Sequence, residues 1–215
     1  MESATLRDIS LIIGIWVSIY GIDSWRREYI GKRRIELAES VLAMFYEAKD
    51  VISYIRSPFG FEGEGSSRKK KESETPEEAK LLDQAYVVFE RYDKTKDVFN
   101  KLKSVRYQFM ALHGTSAIKP FDELNKIVNN IFFAARMLST FWLRQGRVPM
   151  EEEQFEKHIK DMHKYEAIFW DEFDENDSIN NKLSDVIKSI EEICRPIIES
   201  KRTLFGFLNK KIFIP

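Results

Sequence analysis

Three histidines, His113, His158 and His163, and a single cysteine, Cys194, are the whole supply of imidazole and thiol in this chain of 215 residues. A metal centre or nucleophilic site built on them has few possible members. His158 and His163 stand on one helical stretch, but about 500° of rotation separates them, so they point about 140° apart and make poor co-ligands. His163 and Glu166 share a face, yet the Glu-x-x-His pairs of di-iron bundles and the His-Glu-x-x-His motif are absent. The pattern predicts a solvated helix face around these histidines and no metal. Cys194, on an apolar face beside Ile193 and Ile197, reads as a small core residue.

Other segments have the composition of a binding motif without its context. "GFEGEG" (60–65) has the glycines of a phosphate loop, but it follows no strand, opens no helix, and carries Glu62 and Glu64, which repel phosphate. "RKKK" (68–71) concentrates charge that anionic lipid or nucleic acid can take up by counterion release. Glu62, Glu64, Glu72 and Glu74 flank it and weaken that field. Lys+Arg (34) and Asp+Glu (35) nearly cancel, leaving a formal charge of -1, so no chain-wide attraction favours nucleic acid. The acidic run 171–177 lacks the spacing of a calcium loop and reads as a helix connector. Carboxylates on neighbouring helices, such as Glu39 or Asp50, leave an acid–base site open that sequence separation would hide. No cofactor is implied.

The elements that must position these residues begin with "ISLIIGIWVSIYGIDSWRREYIGKRR" (9–34). Its uncharged run, Ile9 to Ile22, reaches only ~21 Å as a helix, against a hydrocarbon core of ~30 Å. Extended from Leu6 to Trp25 it reaches the required length, with Arg7, Asp8 and Asp23 near the interfaces and Trp16, Tyr20 and Trp25 as amphipathic rings. Arg26, Arg27, Lys32, Arg33 and Arg34 follow at once. This basic flank predicts a single-pass anchor in the cytoplasmic (inner) membrane, with the N-terminus outside and the rest of the chain inside. Ser10, Gly14, Ser18 and Gly21 place small residues on one face, where a second membrane helix could pack.

The remaining sequence reads as all-α, with 28 aromatics among few glycines and prolines. Residues 1–25 are expected as the transmembrane anchor, 26–57 as a juxtamembrane helix joining the bundle, 58–76 as a mobile charged loop, and 77–200 as a helical bundle. About five long helices are expected, packed in a coiled-coil-like way. Apolar stripes mark them: Ala38 to Ile55, Leu81 to Leu112, Phe121 to Trp142, Phe155 to Phe169, and Ile179 to Ile197. Thr75-Pro76-Glu77-Glu78 is a helix start, and Pro196 is expected to bend or end the last helix. The tail 201–215 is apolar and aromatic, and Phe205, Phe207, Leu208 and Phe213 need a docking surface on the bundle, on lipid or on a partner.

With no catalytic set in view, the expectation is a membrane-anchored, non-enzymatic helical protein that self-assembles or scaffolds a partner at the cytoplasmic membrane face. Its partners would be membrane lipid, further copies of itself, and a protein held by apolar helix faces or by the tail. Two alternatives stay open: a membrane-perturbing effector assembled through the N-terminal helix, and a helical enzyme or nucleic-acid protein whose site forms only on folding.

Overall fold

The computed structural model describes residues 2–199, with side chains from Leu11 onward, Ile12 excepted. It is all-α: α1 (Glu2–Arg56), α2 (Pro76–His113), a 3-10 turn (Thr115–Ile118), α3 (Lys119–Arg144), α4 (Glu152–Phe169) and α5 (Ser178–Glu199). There is no strand among the described residues. By contacts the chain divides into Val41–Ile193 and a second unit that takes the residues before and after it.

Within 41–193 the apolar stripes read from the sequence in α1, α2, α3 and α5 form the core. Val41, Phe45, Ala48 and Ile52 of α1 are fully buried, as are Val88 and Phe109 of α2, Ala134, Ala135 and Leu138 of α3, and Ile190 of α5. Aromatic edges lock the layers: Phe45 meets Phe121 edge-on at 4.9 Å, and Trp142 meets Phe169 at 5.8 Å. Edge-to-face contact sets the positive ring rim against the negative face, which adds to the burial itself.

The helix boundaries have local causes. At the start of α2 the Glu78 amide donates to the Thr75 hydroxyl oxygen (3.2 Å), and the Thr75 amide donates back to the Glu78 carboxylate (2.9 Å). This reciprocal cap satisfies two of the amides that a helix start leaves open. Gly114, at φ +91°, lets the chain turn sharply out of α2 while its amide donates to the Met110 carbonyl. Pro196 does not end α5, which continues to Glu199. Its missing amide removes one ladder bond, and the helix runs on past it.

The second unit contains the N-terminal part of α1 and the end of α5. Ile35, Ala38 and Cys194 are buried there, whereas residues 13–30 are exposed throughout.

Candidate functional site

The N-terminal part of α1 is the first region with unusual chemistry. Leu11, Ile13, Ile15, Trp16, Val17, Ile19, Tyr20, Ile22 and Trp25 are each between 56 and 68 % exposed. Consecutive positions turn by about 100°, so this run presents apolar surface on every side of the helix. A helix with such a surface belongs in a core or in lipid. Trp16 stacks on Tyr20 at 5.8 Å and Trp25 on Tyr29 at 5.9 Å, each one turn apart.

Three pairings of polar groups in this stretch run along the helix itself. The Ser18 hydroxyl donates to the Gly14 carbonyl at 2.8 Å, Arg27 pairs with Asp23 at 2.8 Å, and Lys32 approaches Glu36 at 3.7 Å. Arg26, Arg33 and Arg34 are exposed. Gly14 and Gly21 face open space, so nothing described occupies that side of the helix. The Ser10 side chain and the tail residues Phe205, Phe207, Leu208 and Phe213 lie outside what the structure describes.

The expected membrane span meets a limit of length. Among the described residues no helix is long and apolar enough to cross a membrane. The physical reason is the short uncharged run, closed by Asp23 and the basic cluster on one side and by Arg7 and Asp8 on the other.

The second region is a pair of buried arginines that sequence reasoning passed over. A helix end leaves four carbonyls without partners, and an arginine fork carries five donors that fit such an array. Arg56, fully buried at the last position of α1, uses its fork this way. Its Nε donates to the Ile168 carbonyl (2.9 Å), and Nη2 donates to those of Ala167 (3.0 Å) and Trp170 (2.6 Å), which closes the end of α4. Nη1 and Nη2 also hold the two carboxylate oxygens of Asp177 at 3.2 and 2.8 Å.

Asp177 in turn caps α5, accepting the amides of Ile179 (2.8 Å) and Asn180 (2.9 Å). One ion pair therefore joins the ends of α1, α4 and α5. Burial alone pushes the Asp177 carboxyl up, but the Arg56 hydrogen bond, the Asn180 and Glu172 amides and the Arg56 charge together hold it below its ordinary value.

Arg91 of α2 does the same for the end of α1. Its Nη1 donates to the carbonyls of Ser57 (2.6 Å) and Tyr54 (3.2 Å), and Nη2 donates to that of Phe59 (2.8 Å). Glu64 completes the fork at 2.6 and 3.2 Å, and that hydrogen bond from Arg91 holds its carboxyl low despite partial burial.

The charged segment expected as a mobile loop is stitched to α2 at several points. Arg68 reaches Asp83 (2.6 Å) and clasps Glu74 (3.0 and 2.5 Å), while Lys70 reaches the other oxygen of Asp83 (2.9 Å). The Gly65 amide and Ser67 hydroxyl donate to Glu90 at 2.9 and 2.7 Å. The Arg68 hydrogen bond and the Lys71 amide hold Glu74 at about 2, and the Lys94 and Ser67 hydrogen bonds hold Glu90 at about 2. Of the acids flanking "RKKK", Glu74 is thus a direct partner of Arg68. Gly65 sits at φ +82°, and a Cβ there would overlap the Asp83 carbonyl oxygen.

The remaining candidates disperse. His163 is exposed, but His158 is not on a solvated face: it is 7 % exposed, its ring lies 5.0 Å from that of Phe141, and its Nε2 is buried without a partner. The α4 stripe is shifted accordingly, with Phe155 half exposed. Glu166 is taken by the Trp142 indole N–H at 3.0 Å. Burial pushes the Cys194 thiol up to about 12, which keeps it protonated at neutral pH. Glu39 and Asp50 are both exposed, and among the described residues no group of His, Cys, Asp or Glu side chains could hold a metal ion.

No protein-family model, curated protein or solved structure matches this chain. What bears on function is the physical chemistry of the two regions.

Proposed function

We propose that this chain is a membrane-anchored, non-enzymatic helical protein whose N-terminal helix seats in the bilayer of the cytoplasmic membrane and whose helical domain recruits or assembles proteins on the cytoplasmic side. The observation that carries this reading is the apolar collar of α1, which stands exposed on all sides from Ile13 to Trp25 and calls for lipid or protein to cover it. Each such large side chain left in water forfeits about 1.5–3 kcal/mol of burial.

Lipid is the occupant that explains the flank as well. The apolar collar gives way to Trp25 and Tyr29, interleaved with Arg26 and Arg27, and then to Lys32, Arg33 and Arg34. That is the order met on passing from hydrocarbon through the interface to an anionic leaflet. The short uncharged run is accommodated if Leu6 to Trp25 spans, because Asp23, near its end, is paired with Arg27 at 2.8 Å. The open face at Gly14 and Gly21 gives two such helices room for close approach, which is the route to self-assembly.

The non-enzymatic part rests on how the buried ionic groups are used. Arg56, Arg91, Asp177 and Glu64 commit their hydrogen bonds to helix ends and to each other. The test is fractionation of the full chain after alkaline carbonate washing. The wild type stays with the membrane pellet, and a variant carrying Ile15→Arg and Ile19→Arg leaves it; wild type in the supernatant overturns the anchor.

A further inference from the structure

We propose that the groove between α2 and α3 binds a small aromatic carboxylate. The groove encloses about 300 Å³, at the lower end of the range for small-ligand sites. Its walls are Tyr92, Phe99 and Leu102 of α2 and Phe121, Leu124 and Val128 of α3. Rings from both helices line the groove: Tyr92 and Phe99, stacked on each other at 5.1 Å, from α2, and Phe121 from α3. A lining rich in rings favours an aromatic body over a flexible one, because a rigid ring meets other rings offset or edge-on at little entropic cost.

The polar side chains lining the groove favour an anion. Arg106, Lys103 and Asn125 are among its lining residues. Arg106 gives Nη2 to Asp122 at 2.6 Å, which leaves its Nε, a buried donor, without any acceptor. A buried donor left unpaired is unfavourable, and a carboxylate oxygen is the partner that satisfies it most strongly. Asp122 is already engaged by Arg106, and the charges lining the groove itself are Arg106 and Lys103, both positive. An apolar aromatic body carrying one carboxylate matches this mixture of rings and cationic side chains. Binding in this groove does not depend on the membrane anchor.

The probes are 2-naphthoate and its neutral analogue 2-naphthalenemethanol, titrated into the full chain in lipid nanodiscs and read by ligand-observed NMR, with empty nanodiscs as the blank. The expected result is saturable binding of the naphthoate to the wild type and weaker binding of the alcohol. Arg106→Gln lowers the naphthoate affinity by about tenfold or more, the loss of one charge-assisted contact. Because Arg106→Gln also frees Asp122, a second variant, Asn125→Trp, adds bulk at a lining residue that is itself exposed and abolishes binding while the thermal unfolding midpoint stays in place. No saturable binding, equal binding of acid and alcohol, or binding that survives Asn125→Trp overturns the proposal.

Discussion

Replacing Asp177 with asparagine keeps the shape of the junction among α1, α4 and α5 and removes its charge, leaving Arg56 buried without a counter-ion. Both side chains are fully buried, so about 3–5 kcal/mol of stability is lost at neutral pH, measurable by urea unfolding. The pH dependence has a definite sign. The folded carboxyl lies below the ordinary value of an unfolded aspartate, about 3.9, so the unfolded chain takes up the proton first. The contribution is fully present above about pH 4–5 and is lost as pH falls through the folded value. Asp177→Asn therefore flattens the acid limb of the stability profile; an unchanged limb would show that other carboxylates set it. His158 gives the opposite case. Its buried Nε2 has no partner, so His158→Leu removes an unsatisfied polar atom and is expected to raise the unfolding midpoint in urea, by up to about 1–3 kcal/mol of stability.

At the scale of elements, the segment between α1 and α2 depends on one glycine. Gly65→Ala places a Cβ against the Asp83 carbonyl at a positive φ, and such strain costs about 1–3 kcal/mol. The loop is expected to leave α2, which limited proteolysis reads as faster cleavage at Lys69, Lys70 and Lys71; unchanged cleavage would mean that the loop is not held there. The helices themselves are legible in the sequence, because 3.6-residue stripes and the Thr75 cap depend on neighbours along the chain. The arginine junctions are not, because their partners are far away: Arg56 meets residues more than a hundred positions on. A signal for them does exist. Arg56 continues the four-residue register of Ala48 and Ile52, and Arg91 that of Val87, so each is a charge standing in an apolar stripe. Such a residue calls for a buried acceptor array, and helix ends are a ready supply. His158 escapes for the converse reason, since the α4 stripe is narrow and Phe155 suggests a different rotation of the helix.

At the scale of the whole molecule, membrane anchoring depends on where α1 puts its apolar surface. Sequence patterning locates that surface and its basic flank, and the helix displays it unburied over Leu11 and Ile13 to Trp25. Length remains the tightest constraint, since the uncharged run alone is shorter than a hydrocarbon core. Trp16 and Trp25 lie nine positions apart, about 13.5 Å along the axis, close to the half-thickness of that core. A helix spanning from Leu6 to Trp25 therefore holds Trp16 near the bilayer centre and Trp25 at its edge. The decisive measurement is quenching of tryptophan fluorescence by lipids brominated at defined depths, comparing the full chain with its Trp16→Phe and Trp25→Phe variants. The anchor predicts that Trp16→Phe removes the component quenched by bromines deep in the acyl chains, while Trp25→Phe removes the component quenched near the headgroups. If neither substitution changes the quenching, α1 does not enter the bilayer and the membrane-anchored reading is wrong.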